Sequence, residues 1–237
     1  MIQQTNPMMR PEELCEAIGW PTDLGIRHGC QVQEVSPLGV ADDIVRVMLA
    51  MGLASIGLQV GLPKTRKAFE KLLGPPPAGS KWDLDRKFSL KEKTGISTCA
   101  MVALGWARAA GVWASDYIPG EGTTRIESEA RLAGAWGRPA DGDRPPAGAL
   151  VVFGEGNSSH VVMCLIRPVA EYFSVDGGQV GASGLQAIFG RRRKFVQDGP
   201  RQLIGDRVVH GWVDPCLMPI VPHAVILAPV GWRRIPV

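Results

Sequence analysis

Ala149-Leu150-Val151-Val152-Phe153, His160-Val161-Val162-Met163-Cys164-Leu165-Ile166 and Glu171-Tyr172-Phe173-Ser174-Val175-Asp176 are three short apolar runs. Gly154-Glu155-Gly156-Asn157-Ser158-Ser159 separates the first two, and Arg167-Pro168-Val169-Ala170 the last two. β-Branched and aromatic residues bounded by Gly, Ser, Asn and Pro read as strands joined by turns. Connections this short join antiparallel neighbours, so the unit reads as a meander. Gly177-Gly178 is expected to break it, with one more strand near Arg207 to Val213.

Within the second strand His160, Val162, Cys164 and Ile166 share a face. At the rise of a strand, Cys164 stands about 13 Å from His160, too far for both to bind one metal. The pair is therefore not read as a zinc site, no metal or cofactor is expected, and Cys164 is assigned to the core. His160 opens its strand straight after a Gly/Ser loop, where a side chain can reach a cleft while the sheet holds its backbone. Asp176 ends the next strand. An odd number of connecting residues places the two on one face; an even number, without a bulge, places them on opposite faces.

Upstream, Gly95-Ile96-Ser97-Thr98-Cys99 leads into Ala100-Met101-Val102-Ala103-Leu104-Gly105-Trp106-Ala107-Arg108-Ala109-Ala110. Ser97 and Thr98 suit an N-cap, the run is rich in helix formers and Gly111 suits the end, so a helix is expected over 98–110. Cys99, Val102, Ala103, Trp106 and Ala110 share a face, and Arg108 is the one charge in the span. The helix reads as buried, with a thiol in its first turn, where backbone N–H groups and the dipole favour thiolate. Packing is the ordinary role of such a cysteine. Together with a histidine heading a strand and an acid ending the adjacent one, it becomes a candidate nucleophile: Cys99 with His160 as base and Asp176 as orienter. A backbone N–H near the helix start, that of Cys99 itself, is expected to help hold an oxyanion.

The 237 residues can form one sizeable domain with an appendage or two small ones. Apolar residues are 45% and charged residues 21%, with 29 Gly and 19 Pro, the balance of a loop-rich globular chain. A net charge of +3 gives no basis for nucleic-acid or membrane attraction. Arg191-Arg192-Arg193-Lys194 reads as a solvated edge or turn. Five widely spaced cysteines without a CxxC pair argue against a disulfide framework. The N-terminus shows no basic segment followed by an apolar core, so no secretory signal is expected and synthesis in a reducing cytosol fits.

Before the nucleophile helix, a short helix is expected near 11–18 and a long apolar one over 40–62. The apolar run 47–62 falls short of the roughly 20 residues that cross a bilayer. It is read as a buried or partner-facing helix rather than a membrane span. Pro63 stops it, an amphipathic helix follows over 64–73, and Gly74-Pro75-Pro76-Pro77-Ala78-Gly79-Ser80 reads as a linker. The expected organisation is a helical docking region over 1–75, a catalytic domain over 81–215 containing a further helix at 124–134, and an extended tail over 216–237.

The order of the Cys99 helix, Pro146-Ala147-Gly148-Ala149-Leu150-Val151-Val152-Phe153-Gly154, Ser158-Ser159-His160-Val161-Val162-Met163 and Ser174-Val175-Asp176-Gly177-Gly178 resembles the papain-like NlpC/CHAP superfamily of cysteine peptidases and amidases. The likeness covers roughly 94–213. Two positions depart from it: Ala149 stands where an Asp is usual, and Ser97-Thr98 precedes the cysteine where Asp or Asn is commoner. The resemblance implies an α+β fold, a papain-like core with a central Cys-bearing helix packed on an antiparallel sheet. It also implies hydrolysis of an amide in peptidoglycan, as an endopeptidase or amidase. A protein made without a signal peptide yet acting on the wall would be a phage lysin, a virion-associated enzyme or a secreted effector. A transglutaminase-like or deamidating enzyme would use the same three residues. A non-enzymatic scaffold in a larger assembly, such as a phage particle, would instead use 40–62 and the tail to meet a protein partner.

Overall fold

A computed structural model of the chain describes residues 8–20, 32–35, 41–73, 98–113, 122–154, 159–180, 184–221 and 226–229. The expected linker at 74–80, the charged segment after it, Gly95 to Ser97, His28, Cys30 and His223 lie outside these residues. The helices are α1 (Pro11–Ile18), α2 (Ala41–Ser55), α3 (Pro63–Leu73), α4 (Cys99–Ala109) and α5 (Gly122–Leu132). The strands are β1 (Met8–Met9), β2 (Val32–Val35), β3 (Trp136–Gly137), β4 (Leu150–Phe153), β5 (His160–Cys164), β6 (Glu171–Val180), β7 (Gln186–Asp198), β8 (Arg201–Ile204), β9 (Arg207–Val213) and β10 (Ile226–Pro229).

The expectation of a papain-like helix-on-sheet core is overturned, because β4 to β9 form a closed six-stranded antiparallel barrel. Each strand pairs with the next along the chain, and β9 returns to β4. Closure depends on β7, which pairs through Gln186 to Lys194 with β6 and through Phe195 to Asp198 with β8. Arg191 to Lys194 is therefore strand, not a turn. Arg193 keeps 9% of its side chain exposed and Arg191 19%, whereas Arg192 keeps 51%. That alternation is the period of a strand with one face turned into a barrel.

Side chains sort cleanly between the two faces of the barrel. Ala149, Val151, Phe153, Val162, Cys164, Tyr172, Phe195, Ile204, Val209 and Trp212 fill the interior. Their neighbours in sequence, including Leu150, Val152, Val161, Met163, Phe173 and Val175, face outward into a larger core shared with the helices. α4 is the centre of that outer core: every residue from Cys99 to Ala107 is buried, and Ala109 with them. It touches β5, β6, α2, α3 and α5. The Trp106 indole donates to Ser55 Oγ at 3.2 Å, and Ser55 donates to the Gly52 carbonyl at 2.7 Å, so the buried polar atoms on this helix pair are matched.

The apolar segment over 40–62 divides in two. α2 ends at Ser55, Gly57 takes a left-handed φ of 88°, and the chain then runs beside β7. Gly57 N donates to Ile188 O at 2.9 Å, Ile188 N to Leu58 O at 3.0 Å and Val60 N to Gln186 O at 3.0 Å. Val47, Met48, Ala50, Leu53 and Ala54 are fully buried in the chain's own core. Each such aliphatic or Met side chain contributes roughly 1.5–3 kcal/mol of burial, less for Ala. Leu14 of α1 and Phe69 and Leu73 of α3 enter the same core. Of the expected tail, Met218 packs against this core and β10 pairs with β2 in a separate two-stranded sheet. Among the described residues no helix is long and apolar enough to cross a membrane.

Candidate functional site

The register of the barrel settles the geometry that the strand spacing left open. Val162 on β5 stands opposite Asp176 on β6, and Cys164 opposite Ser174. His160 lies two residues before Val162, so His160 and Asp176 share the inward face. His160 opens β5 at the end of the barrel, 9% exposed, its ring 6.4 Å from that of Phe153. Asp176 is fully buried below it, with Oδ2 3.9 Å from His160 Nε2.

Cys99 enters from outside the barrel as the first residue of α4, 4% exposed. The close approach of α4 to β6 is made by Gly177: a Cβ there would stand 2.7 Å from Val102 Cβ and 2.8 Å from its Cγ1. Only a bare backbone admits that contact. The helix start thereby meets the beginning of β5, which carries His160, and the middle of β6, where Asp176 lies although the sequence placed it at a strand end. Thr98, expected to cap the helix, does not: with φ −78° and ψ 3° its side chain makes no cap bond. Its hydroxyl donates instead to Gln186 Oε1 on β7 at 3.1 Å, with both residues buried, tying the residue before the thiol to the sheet.

The electrostatics couple the three expected residues. Burial opposes a charge on His160, but the Cys99 thiolate, which it hydrogen-bonds, and Asp176 outweigh that cost and lift its pKa to about 9. Burial also opposes the charge on Asp176, and the Arg193 guanidinium and His160 overcome it, holding the carboxyl far below the usual carboxylate range. By contrast Cys164, sealed in the barrel interior, is pushed up to about 12 by burial. The structure thus brings Cys99, His160 and Asp176 together and leaves Cys164 a neutral core thiol.

Several groups around this trio had not been singled out from the sequence. Arg193 makes a two-pronged contact with Asp176: Nη2 reaches Oδ2, and Nη1 lies 3.3 Å from Oδ1 and 2.6 Å from Ser174 Oγ. Ser174 in turn donates to Asp176 Oδ1 at 2.6 Å. Arg191 Nε lies 3.6 Å from Asp176 Oδ2. Gln179 Nε2 lies 3.1 Å from His160 Nε2, closer to it than Asp176 Oδ2 at 3.9 Å. The period-2 alternation of Ala187, Phe189, Arg191, Arg193 and Phe195 was the signal for the arginines.

Elsewhere His210 Nε2 bonds Glu127 Oε2 at 2.8 Å across α5 and β9, a half-buried contact apart from this site. Among the described residues no group of three His, Cys, Asp or Glu side chains is arranged to hold a metal ion. No family model, curated protein or solved structure matches the chain.

Proposed function

We propose that this protein is a cysteine hydrolase that opens an amide bond through an acyl-enzyme on Cys99. The reading rests on one arrangement: a buried histidine lies between a thiol at a helix start and a carboxylate 3.9 Å from its Nε2, and these two acidic groups raise its pKa to about 9. A thiol in this setting is a nucleophile near neutral pH rather than a packing group. The Cys99 thiolate attacks the carbonyl carbon and forms a C–S bond. N–H groups at the start of α4 stabilise the oxyanion, and His160 gives its proton to the leaving amine as the C–N bond breaks. His160, now neutral, takes a proton from water, which attacks the thioester and releases the acid. The substrate class implied by the motif resemblance is a peptide amide of peptidoglycan.

The test uses purified cell wall and the full chain beside its Cys99→Ala variant. The wild type is expected to release new amino groups and the variant none; equal release by both, or by neither, overturns the hydrolase reading. Release of ammonia from glutamine-bearing proteins with the wall left intact would instead assign the same thiol to deamidation. Iodoacetamide is expected to label Cys99 faster than the other cysteines at pH 7. Hydrolysis is expected to fall as pH rises through about 9, where His160 loses the proton it must donate.

A further inference from the structure

β6 does not break at Gly177-Gly178. It runs on through a bulge, three steps from Asp176 to Gln179 answering two from Phe189 to Ala187, with Gly178 supplying a positive φ of 68°. Beyond the bulge Val180 pairs with Gln186, the first residue of β7. Gln186 is thus held by the sheet on one side, and its carbonyl accepts from Val60 N at 3.0 Å on the other. Its side chain, 3% exposed, reaches the residue before the thiol. Gln186 Oε1 lies 3.1 Å from Thr98 Oγ1 and 3.5 Å from Thr98 N. A backbone N–H can only donate, so the amide atom that faces it is the oxygen, and the hydroxyl beside it donates as well.

Thr98 is the N-cap residue of α4, and its carbonyl accepts from Val102 N at 2.9 Å. A threonine in that position ordinarily takes an extended backbone and turns its hydroxyl oxygen onto the N–H of the second or third helical residue, here Ala100 or Met101. Thr98 has ψ 3° and makes no such bond. Given the Cys99–His160 reading above, we propose that Gln186 is a positioning residue: by engaging the Thr98 hydroxyl from the sheet, it keeps that oxygen off the first turn of α4, so that the N–H groups there serve the Cys99 thiolate and the oxyanion. An oxygen turned onto those donors would compete with the sulfur for them and offset the positive end of the helix that favours thiolate.

The test reads the thiol and needs no substrate. The rate of Cys99 alkylation by iodoacetamide is followed on the Cys99 peptide by mass spectrometry from about pH 3 to 9, and its acid limb gives the midpoint at which thiolate forms. In Gln186→Met the hydroxyl loses its acceptor and is free to cap the helix. The midpoint is expected to rise by about one pH unit, the equivalent of one capping bond. In Gln186→Met/Thr98→Val no hydroxyl is left to compete, and the midpoint is expected to return to that of the wild type. A bond that merely tied α4 to β7 would be broken alike in both variants. A double variant as shifted as Gln186→Met, or an unshifted Gln186→Met, therefore overturns the proposal. Thr98→Val alone breaks the same bond without freeing a capping group, so its midpoint is expected not to rise; a rise of about one unit overturns the proposal even where Gln186→Met does not fold. The charged groups around the thiol, His160 of β5, Asp176 of β6 and Arg191 and Arg193 of β7, are the same in all four proteins. A wild type whose Cys99 reacts no faster than the other cysteines at neutral pH overturns the hydrolase reading and this inference together, whereas a reactive wild type with unshifted variants overturns this inference alone.

Discussion

Arg193→Met is expected to destabilise the fold by about 3–5 kcal/mol, the range for removing one partner of a buried ion pair. Asp176 has no solvent exposure, and in that variant its carboxylate would keep, among the described residues, Ser174, His160 and the more distant Arg191 as partners. Asp176→Asn is expected to cost a similar amount, because Arg193, with 9% of its side chain exposed, would then be a buried cation facing an amide. The double variant Asp176→Asn/Arg193→Met is expected to lose less than the sum of the two, since neither charge is left stranded. Urea unfolding of the four proteins measures this directly; strictly additive losses would show that the pair contributes no coupling. The same pair makes stability depend on acid. The Asp176 carboxyl is held below its unfolded value, so its contribution is fully present above about pH 4 and is lost progressively as pH falls below that. Arg193→Met, which raises that carboxyl toward its ordinary range, is expected to flatten this acid dependence. Cys99 alkylation in the same variant reports whether the carboxylate still supports the imidazolium.

The local elements of the barrel were readable because each strand of the meander carries its own alternation: Val151 and Phe153 inward against Leu150 and Val152 outward, Val162 and Cys164 inward against Val161 and Met163 outward. Closure was not readable, because it depends on how strands distant in sequence meet. β7 carries arginines where an interior face is expected to carry aliphatic groups, and four consecutive basic residues resemble a solvated turn. Only the fold supplies the carboxylate that makes an inward Arg193 tolerable. The same applies to Asp176: its chain position offered two parities, and the Val162–Asp176 pairing selects one. Gly177-Gly178 illustrates how a local rule gives the wrong answer for a sound reason. Two glycines weaken a strand, but here one admits Val102 and the other forms the bulge that turns Gln179 toward the imidazole. Cys99 was legible as a helix-start thiol, while its environment was not, since Gln186 and the barrel end that surround it come from residues more than sixty positions downstream.

Gly177→Ala is expected to lower the rate of Cys99 alkylation at neutral pH, and any hydrolysis with it, by about a hundredfold. The added Cβ would meet Val102 Cβ at 2.7 Å, Cγ1 at 2.8 Å and Cγ2 at 3.0 Å. Val102 is β-branched and fixed in the buried face of α4, so its side chain cannot swing aside and the helix itself must give. Cys99 lies one turn before Val102 on that helix. A shift that clears the alanine therefore carries the sulfur away from His160, and the thiolate loses the charge that holds it. Overpacking of this kind costs about 1–3 kcal/mol, within what a folded domain of this size tolerates, so the loss of reactivity is expected to appear in a protein that still melts cooperatively. Gly177→Ala/Val102→Ala removes the two Cγ contacts, keeps the Cβ contact, and is expected to recover part of the alkylation rate. Recovery in the double variant ties the effect to the spacing of α4 and β6. Full reactivity in Gly177→Ala alone would mean that the helix start is held to His160 by contacts other than this one.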